Sequence, residues 1–123
     1  MHPDRKSVMI VEDDLEARES LAAVLVSEGF SVIVAEHGRA ALERLRAQPS
    51  AVCMILLDLF MPVMNGWAFR DEQVRDPALA DIPVVVITAD ASAAQRVGKL
   101  GVVGSITKPV DFDRLLAMVN TYC

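Results

Sequence analysis

Four apolar runs in this chain end on residues able to do chemistry. Glu12, Asp13 and Asp14 follow Val8-Met9-Ile10-Val11, Asp58 follows the run from Val52 to Leu57, Thr88 and Asp90 follow Val84-Val85-Val86-Ile87, and Lys108 follows the run from Val102 to Thr107. Carboxylates brought to one place repel, which raises at least one pKa unless a cation joins them. Glu12, Asp13 and Asp58 would offer oxygen ligands only, and that suits a hard ion. A site with few protein ligands that keeps several waters suits Mg2+ better than Ca2+ or Zn2+. A carboxylate beside such an ion can attack a phosphoryl group in line, while the Lys108 ammonium and the Thr88 hydroxyl neutralise or hydrogen-bond its equatorial oxygens. Attack by Asp58 would give an aspartyl phosphate. Each residue alone has a plainer explanation: acids favoured at a helix start, a hydroxyl at a strand end, a solvated lysine. Joint placement at four strand ends favours the chemistry.

Such residues need a frame that carries them to one edge. A strand is expected over 7–11, ending in the three acids, and a helix over 15–28, with Ala17, Leu21, Val24 and Leu25 on one face and Gly29 as its C-terminal glycine. The unit repeats with a strand over 30–35 and a helix over 38–48, bearing Ala41, Leu42 and Leu45 and ended by Pro49. Strand three, 52–57, has no polar alternation, the pattern of a strand covered on both faces of a parallel sheet. The helix over 67–75 has a weak apolar stripe of Trp67, Phe69 and Val74. A strand over 83–88 precedes a helix begun by Ser92 and Gln95 in capping-box spacing. That helix contains Gly98 and is expected to be the least stable. The fifth strand, 102–107, is followed by a helix capped by Asp111, with Phe112, Leu115, Leu116 and Val119 on one face. Five strands alternating with five helices across short loops call for an α/β fold with an open, doubly wound parallel sheet. In such sheets functional groups collect at the carboxyl ends of the strands.

Composition agrees. The 123 residues fit one domain, 1–123; 53% are hydrophobic but only 5% aromatic, so Val, Leu, Ile, Ala and Met must build the core. No apolar run reaches the roughly 18 to 20 residues that span a bilayer, and the polar start lacks a signal-peptide core, so the expected location is cytoplasmic, without membrane contact. With a net charge of −5 and scattered Lys and Arg, direct nucleic-acid binding is disfavoured. Cys53 and Cys123 show no metal or disulfide spacing; the first reads as core filler and the second as incidental. His2 and His37 read as surface residues, and Trp67 as a packing residue.

Four motifs, Val11-Glu12-Asp13-Asp14, Leu57-Asp58-Leu59-Phe60-Met61-Pro62-Val63-Met64-Asn65-Gly66, Ile87-Thr88-Ala89 and Thr107-Lys108-Pro109, occur in this order. Together they resemble the receiver domain of two-component response regulators over residues 6 to 121. The resemblance implies a flavodoxin-like (βα)5 fold with strand order 2-1-3-4-5 and Asp58 as phosphoacceptor. It also implies a Mg2+ site made by Asp13 directly, Glu12 through water, Asp58, and the backbone carbonyl of Phe60. Thr88 would hydrogen-bond the phosphoryl group, Lys108 would ion-pair with it, and Pro109 would follow a cis bond. Asp14 would be a helix-cap acid. The implied partners are a histidine kinase or phosphotransfer protein as donor and a downstream protein or output domain as reader. Dimerisation would use the face of the fourth helix, fifth strand and fifth helix. The role is signalling, catalytic only in assisting its own phosphorylation and dephosphorylation.

The chain departs from the family pattern at Ser105, where most receivers carry an aromatic switch residue. The expectation is that mobility of the Gly98-containing helix takes the ring's place. Phe60 and Asp90, each two residues beyond a site residue, would flank the path of attacking water, and small Ala89 leaves room beside Thr88. An Asp-nucleophile phosphatase would want a second acid two residues after Asp58, where Phe60 stands. A flavin site would want a glycine and hydroxyl phosphate cradle after strand one, which is missing. The remaining alternative is a receiver-like interaction domain that works without phosphorylation.

Overall fold

The computed structural model describes residues 6–123. Strands β1 (Ser7–Val11), β2 (Val32–Ala35), β3 (Val52–Asp58), β4 (Val84–Thr88) and β5 (Gly104–Thr107) alternate with helices α1 (Leu15–Ser27), α2 (Gly38–Ala47), α3 (Gly66–Arg75), α4 (Ala91–Arg96) and α5 (Phe112–Tyr122). All strand pairings are parallel, in the order β2-β1-β3-β4-β5. The fold expectation therefore stands, topology included.

Alternation along β3 explains the two apolar layers. Ile55 and Leu57 join Met9, Val11, Val84 and Val86 beneath Leu42, Leu45 and Phe69, so α2 and α3, with Ala93 of α4, cover one face. Met54 and Leu56 join Val8, Ile10, Val85 and Ile87 beneath Leu21, Leu25, Leu115 and Val119, so α1 and α5 cover the other. A strand buried on both sides has no room for polar residues until it ends, and β3 ends on Asp58. Truncating Leu57 to Ala would leave a cavity between the layers, at a cost of about 2–5 kcal/mol.

Helix ends follow their local chemistry. Asp14 caps α1 as expected, its Oδ2 accepting from Ala17 N at 2.9 Å. At the other end Gly29 takes φ +90, its N–H donating to Val26 O while Phe30 N–H donates to Leu25 O, which is a Schellman closure. Asp111 caps α5 through the amides of Asp113 and Arg114.

Several expectations need correction. Asp90, not Ser92, caps α4, its Oδ1 accepting from Ser92 N and Ala93 N at 2.9 and 3.2 Å, because an acid directly before the first turn reaches those amides first. Only six residues are α-helical there; Gly98 sits in the 3-10 turn Val97–Leu100 that follows. Val74 faces solvent, and α3 instead buries Phe69, Arg70 and Gln73. The polar pair is tolerated because it is satisfied: Arg70 donates to Leu100 O, Gly101 O and Gln73 Oε1, and Gln73 Nε2 donates to Leu79 O and Ile82 O. His37 is half-buried and caps α2, its Nδ1 accepting from Ala40 N at 3.1 Å. His2 lies outside the described residues.

The largest correction concerns the cysteines. Cys53 and Cys123 are joined by a disulfide across 70 residues, with Cα atoms 5.4 Å apart. Neither residue is filler. The start of β3 and the end of α5 meet at the amino edge of the sheet, a proximity made by topology rather than by spacing along the chain. Among the described residues, no helix is long and apolar enough to cross a membrane.

Candidate functional site

Parallel register fixes the carboxyl edge. Val11 pairs with Leu57, Asp58 with Ile87, and Thr88 with Thr107, so the residues following β1 and β5 are delivered beside the ends of β3 and β4. One carboxylate oxygen each from Glu12, Asp13 and Asp58 lie within 4.8 Å of one another. Glu12 is 2% and Asp58 7% exposed, while Asp13 faces solvent. Two buried acids and one open acid form a mouth rather than a closed cage. Three carboxylates with no sulfur or imidazole among them fit a hard divalent cation.

Lys108 crosses the edge to this cluster. Its Nζ lies 3.0 Å from Glu12 Oε2, so in this state the ammonium is hydrogen-bonded to Glu12. Glu12 is held three times more: its Oε1 accepts from Asp14 N at 3.2 Å, its carbonyl accepts from Arg18 Nη1 at 3.0 Å, and its N–H donates to Ala35 O at 3.1 Å. Arg18 was not singled out from sequence; only its place in the first turns of α1, beside the acids, could have pointed to it. The Lys108–Pro109 bond is cis.

Burial, the Glu12 charge and a hydrogen bond to Glu12 push the Asp58 carboxyl up to about 7, against the opposing pull of Lys108 and the Phe60 amide. That amide donates to Asp58 Oδ1 at 3.3 Å. Burial works against the Lys108 ammonium, but Glu12, Asp58 and Asp14 outweigh it and hold its pKa above the usual value. Burial is the larger cause at Asp58, and the charges add to it: Glu12 raises both groups, while Lys108 and Asp58 each favour the other's charged form.

Thr88 is fully buried, and its Oγ1 accepts the N–H of Asp90 at 3.1 Å. The Thr88 carbonyl accepts from Lys108 N at 2.8 Å, which stitches the β4 and β5 ends together. Ala89 and Asp90 are exposed, with the Asp90 carboxylate engaged in capping α4. Ser105 lies half-buried in β5 opposite Val86, two residues short of the edge, and is not part of the cluster.

The loop after Asp58 is tightly turned. Met64 N donates to Pro62 O at 2.7 Å around Val63, whose φ is +66, a γ-turn that a β-branched residue adopts only under strain. Gly66 closes the loop by donating to Leu59 O at 2.8 Å; a Cβ there would come within 2.8 Å of Leu59 Cα, so no larger residue fits. The exposed Phe60 ring packs edge-on against Trp67, with centroids 5.3 Å apart. This contact gives Trp67 the expected packing role, while the Phe60 main chain is held next to Asp58 by its own amide bond to Oδ1.

Comparison with known proteins places the chain. Residues 8–120 match the family model described as the response regulator receiver domain, and the chain belongs to that family. It is 35% identical over 123 residues to the transcriptional regulatory protein ZraR of Escherichia coli K12, an alignment covering 98% of this chain and 27% of ZraR. A response regulator receiver protein from Pseudomonas putida superposes with a TM-score of 0.86 at 29% identity, over 95% of this chain and 97% of that one. The response regulator TrrA of Thermotoga maritima, described as a complex with Mg(2+)-BeF, superposes at 0.84 with 24% identity, over 96% and 99% of the two chains. The chain spans about half or less of several curated relatives, 51% of one and 27% of ZraR.

Proposed function

We propose that Asp58 accepts a phosphoryl group from a histidine kinase or phosphotransfer protein, and that the modified surface alters binding to a downstream protein or output domain. The observation carrying this reading is the meeting of Glu12, Asp13 and Asp58 within 4.8 Å, with Lys108 3.0 Å from Glu12. A Mg2+ ion would be held by Asp13, by Glu12 through water, by Asp58 and by the Phe60 carbonyl. TrrA, of the same fold, is described as a Mg(2+)-BeF complex, which supports that assignment. When bound, the ion supplies positive charge against the charge developing on the phosphoryl oxygens.

This chain's residues do the rest. An Asp58 oxygen attacks phosphorus in line, and the bond to the donor nitrogen breaks with its electron pair leaving on the imidazole. The Lys108 ammonium has three donors, so it can keep Glu12 and still reach a phosphoryl oxygen. Thr88 offers its hydroxyl hydrogen to another. Until then its oxygen holds the Asp90 amide, so turning towards the phosphate disturbs the cap of α4. That link lets α4 act as the mover where Ser105 replaces the ring. Ala89 leaves space beside Thr88, and Phe60 and Asp90 flank the approach of hydrolytic water. Dimerisation through α4, β5 and α5 belongs to the same reading, as does a cytoplasmic location.

The test is incubation with Mg2+ and acetyl phosphate, followed by intact mass. One added phosphoryl group is expected, labile to hydroxylamine, Mg2+-dependent, and lowered by a factor of about 100 or more in Asp58→Asn. No incorporation in the wild type would favour the phosphorylation-independent interaction domain. Amide shifts of 90–98 should move on addition of a phosphoryl mimic; an unchanged α4 would rule it out as the mover.

A further inference from the structure

The amino edge of the sheet carries a second chemically active place. Cys53, the second residue of β3, is half-buried, and Cys123, just past α5, is exposed. Beside their bond lies a groove of about 470 Å3 whose walls include Lys6, Ser50, Cys53, Pro77, Asp81 and Tyr122. A disulfide sealed in a core is inert because no thiolate can approach it, whereas this one, half-buried at Cys53 on the wall of an open groove and exposed at Cys123, meets the access requirement for exchange.

Helix α5 does not need the bond to stay in place. Leu115 and Val119 are fully buried against the sheet, and Asp111 caps the first turn. Within the folded protein the covalent link therefore governs what lies beyond Val119, the last turn with Thr121, Tyr122 and Cys123, while its effect on overall stability acts through the unfolded chain. Cys123 N donates to Val119 O at 2.8 Å, and Thr121 Oγ1 to Ala117 O at 2.9 Å, both local bonds that fray together.

We propose that Cys53 and Cys123 form a reversible thiol–disulfide site, served by a thiol reductant entering along this groove, and that its redox state decides whether the last turn of α5 is tied to β3. A reductant thiolate attacks the Cys53 sulfur, forming a mixed disulfide as the Cys53–Cys123 bond breaks and its electron pair leaves on Cys123. A second thiol resolves the mixed disulfide. The balance is one protein disulfide plus two reductant thiols giving two protein thiols and one reductant disulfide, with two electrons and two protons transferred. A small thiol and a protein dithiol share this chemistry.

The test uses the native chain, air-oxidised and then incubated without denaturant with dithiothreitol, reduced glutathione or a thioredoxin-class dithiol protein. Each sample is alkylated with N-ethylmaleimide and its intact mass measured. Expected are no labels before reduction and two after, at a rate proportional to reductant, with an unchanged far-UV spectrum. Amide exchange should rise by about tenfold or more at 120–123 but not in the strands. Reduction by glutathione through a mixed disulfide on Cys53 identifies a small thiol as sufficient; reduction by the protein dithiol alone identifies a protein partner; both support the site. Two labels persisting after treatment with oxidised glutathione would mean that the pair does not bond. Labels that appear only in urea would mean a sealed staple, and loss of the far-UV spectrum on reduction would mean that the bond holds the whole fold. Any of these three overturns the proposal.

Discussion

The two ends of β3 obey opposite rules. At its start, Cys53 is covalently fixed to Cys123, and the neighbouring loops are closed by Arg70 and Gln73, whose side chains donate to the carbonyls of Leu100, Gly101, Leu79 and Ile82. At its finish, Asp58 shares a buried edge with Glu12 while one ammonium serves both. One end satisfies the buried Arg70 and Gln73 side chains with loop carbonyls and with each other; the other assembles like charges and leaves them short of counter-charge. The fold concentrates stability at the amino edge and stores electrostatic repulsion at the carboxyl edge, where the proposed function would bring a cation and a phosphoryl group. Removing repulsion at the carboxyl edge should therefore stabilise, and removing partners at the amino edge should destabilise.

The largest effect is expected from the disulfide. Cys123→Ser in the oxidised protein should lose about 2–4 kcal/mol, because a closed loop of this length restricts the unfolded chain. Urea unfolding with and without dithiothreitol checks it: the wild type should fall to the variant's level on reduction, and the variant should not respond. Next, Gln73→Ala removes a donor from the half-buried Ile82 carbonyl and from Leu79 O, which keeps the Ile82 N–H, and takes an acceptor from Arg70, at a cost of about 1–3 kcal/mol measured the same way. A neutral result there would erase the contrast between the edges.

The third change should have the opposite sign. Asp58 binds its proton more tightly folded than unfolded, so its favourable contribution is fully present below 3.8 and is lost as pH rises through about 7. Asp58→Asn, without Mg2+, should gain on the order of 1–2 kcal/mol at pH 8 and nothing below pH 4. Added Mg2+ should stabilise the wild type more than the variant. The smallest effect is expected at Val63→Gly, where relief of the strained γ-turn, less the flexibility gained by the unfolded chain, should add about 0.5–1 kcal/mol. A thermal melt resolves that size of shift.

The layered fold was legible because its signals are local: unbroken apolar strands, Gly29 at a helix end, Asp14 and Asp111 at helix starts. The acidic cluster was legible because parallel strands deliver their ends to one edge, so a polar residue closing an apolar run has only one place to go. What escaped was long-range. Cys53 and Cys123 meet only after five βα units have wound, and no spacing rule reaches across 70 residues. Arg70 and Gln73 occupy the buried face of α3 because carbonyls from later loops arrive to accept their protons, so the polar pair looked like a weak stripe in sequence. Ser92 competed with Asp90 for one cap, and proximity to the first turn decided it.

Helix α4 inherits one further consequence. Its entry rests on Asp90, whose amide is held by the Thr88 hydroxyl, whereas the turn that ends it is gripped through the Leu100 and Gly101 carbonyls by Arg70. One support is a single hydroxyl that can rotate; the other is a forked guanidinium rooted in α3. Six helical residues between a loose support and a firm one make a short lever with its fulcrum at Gly101, so displacement should be greatest at Ala91 and fade towards Leu100. If α4 moves as proposed, how far the lever swings should depend on Arg70, which holds its far end from outside the acidic cluster.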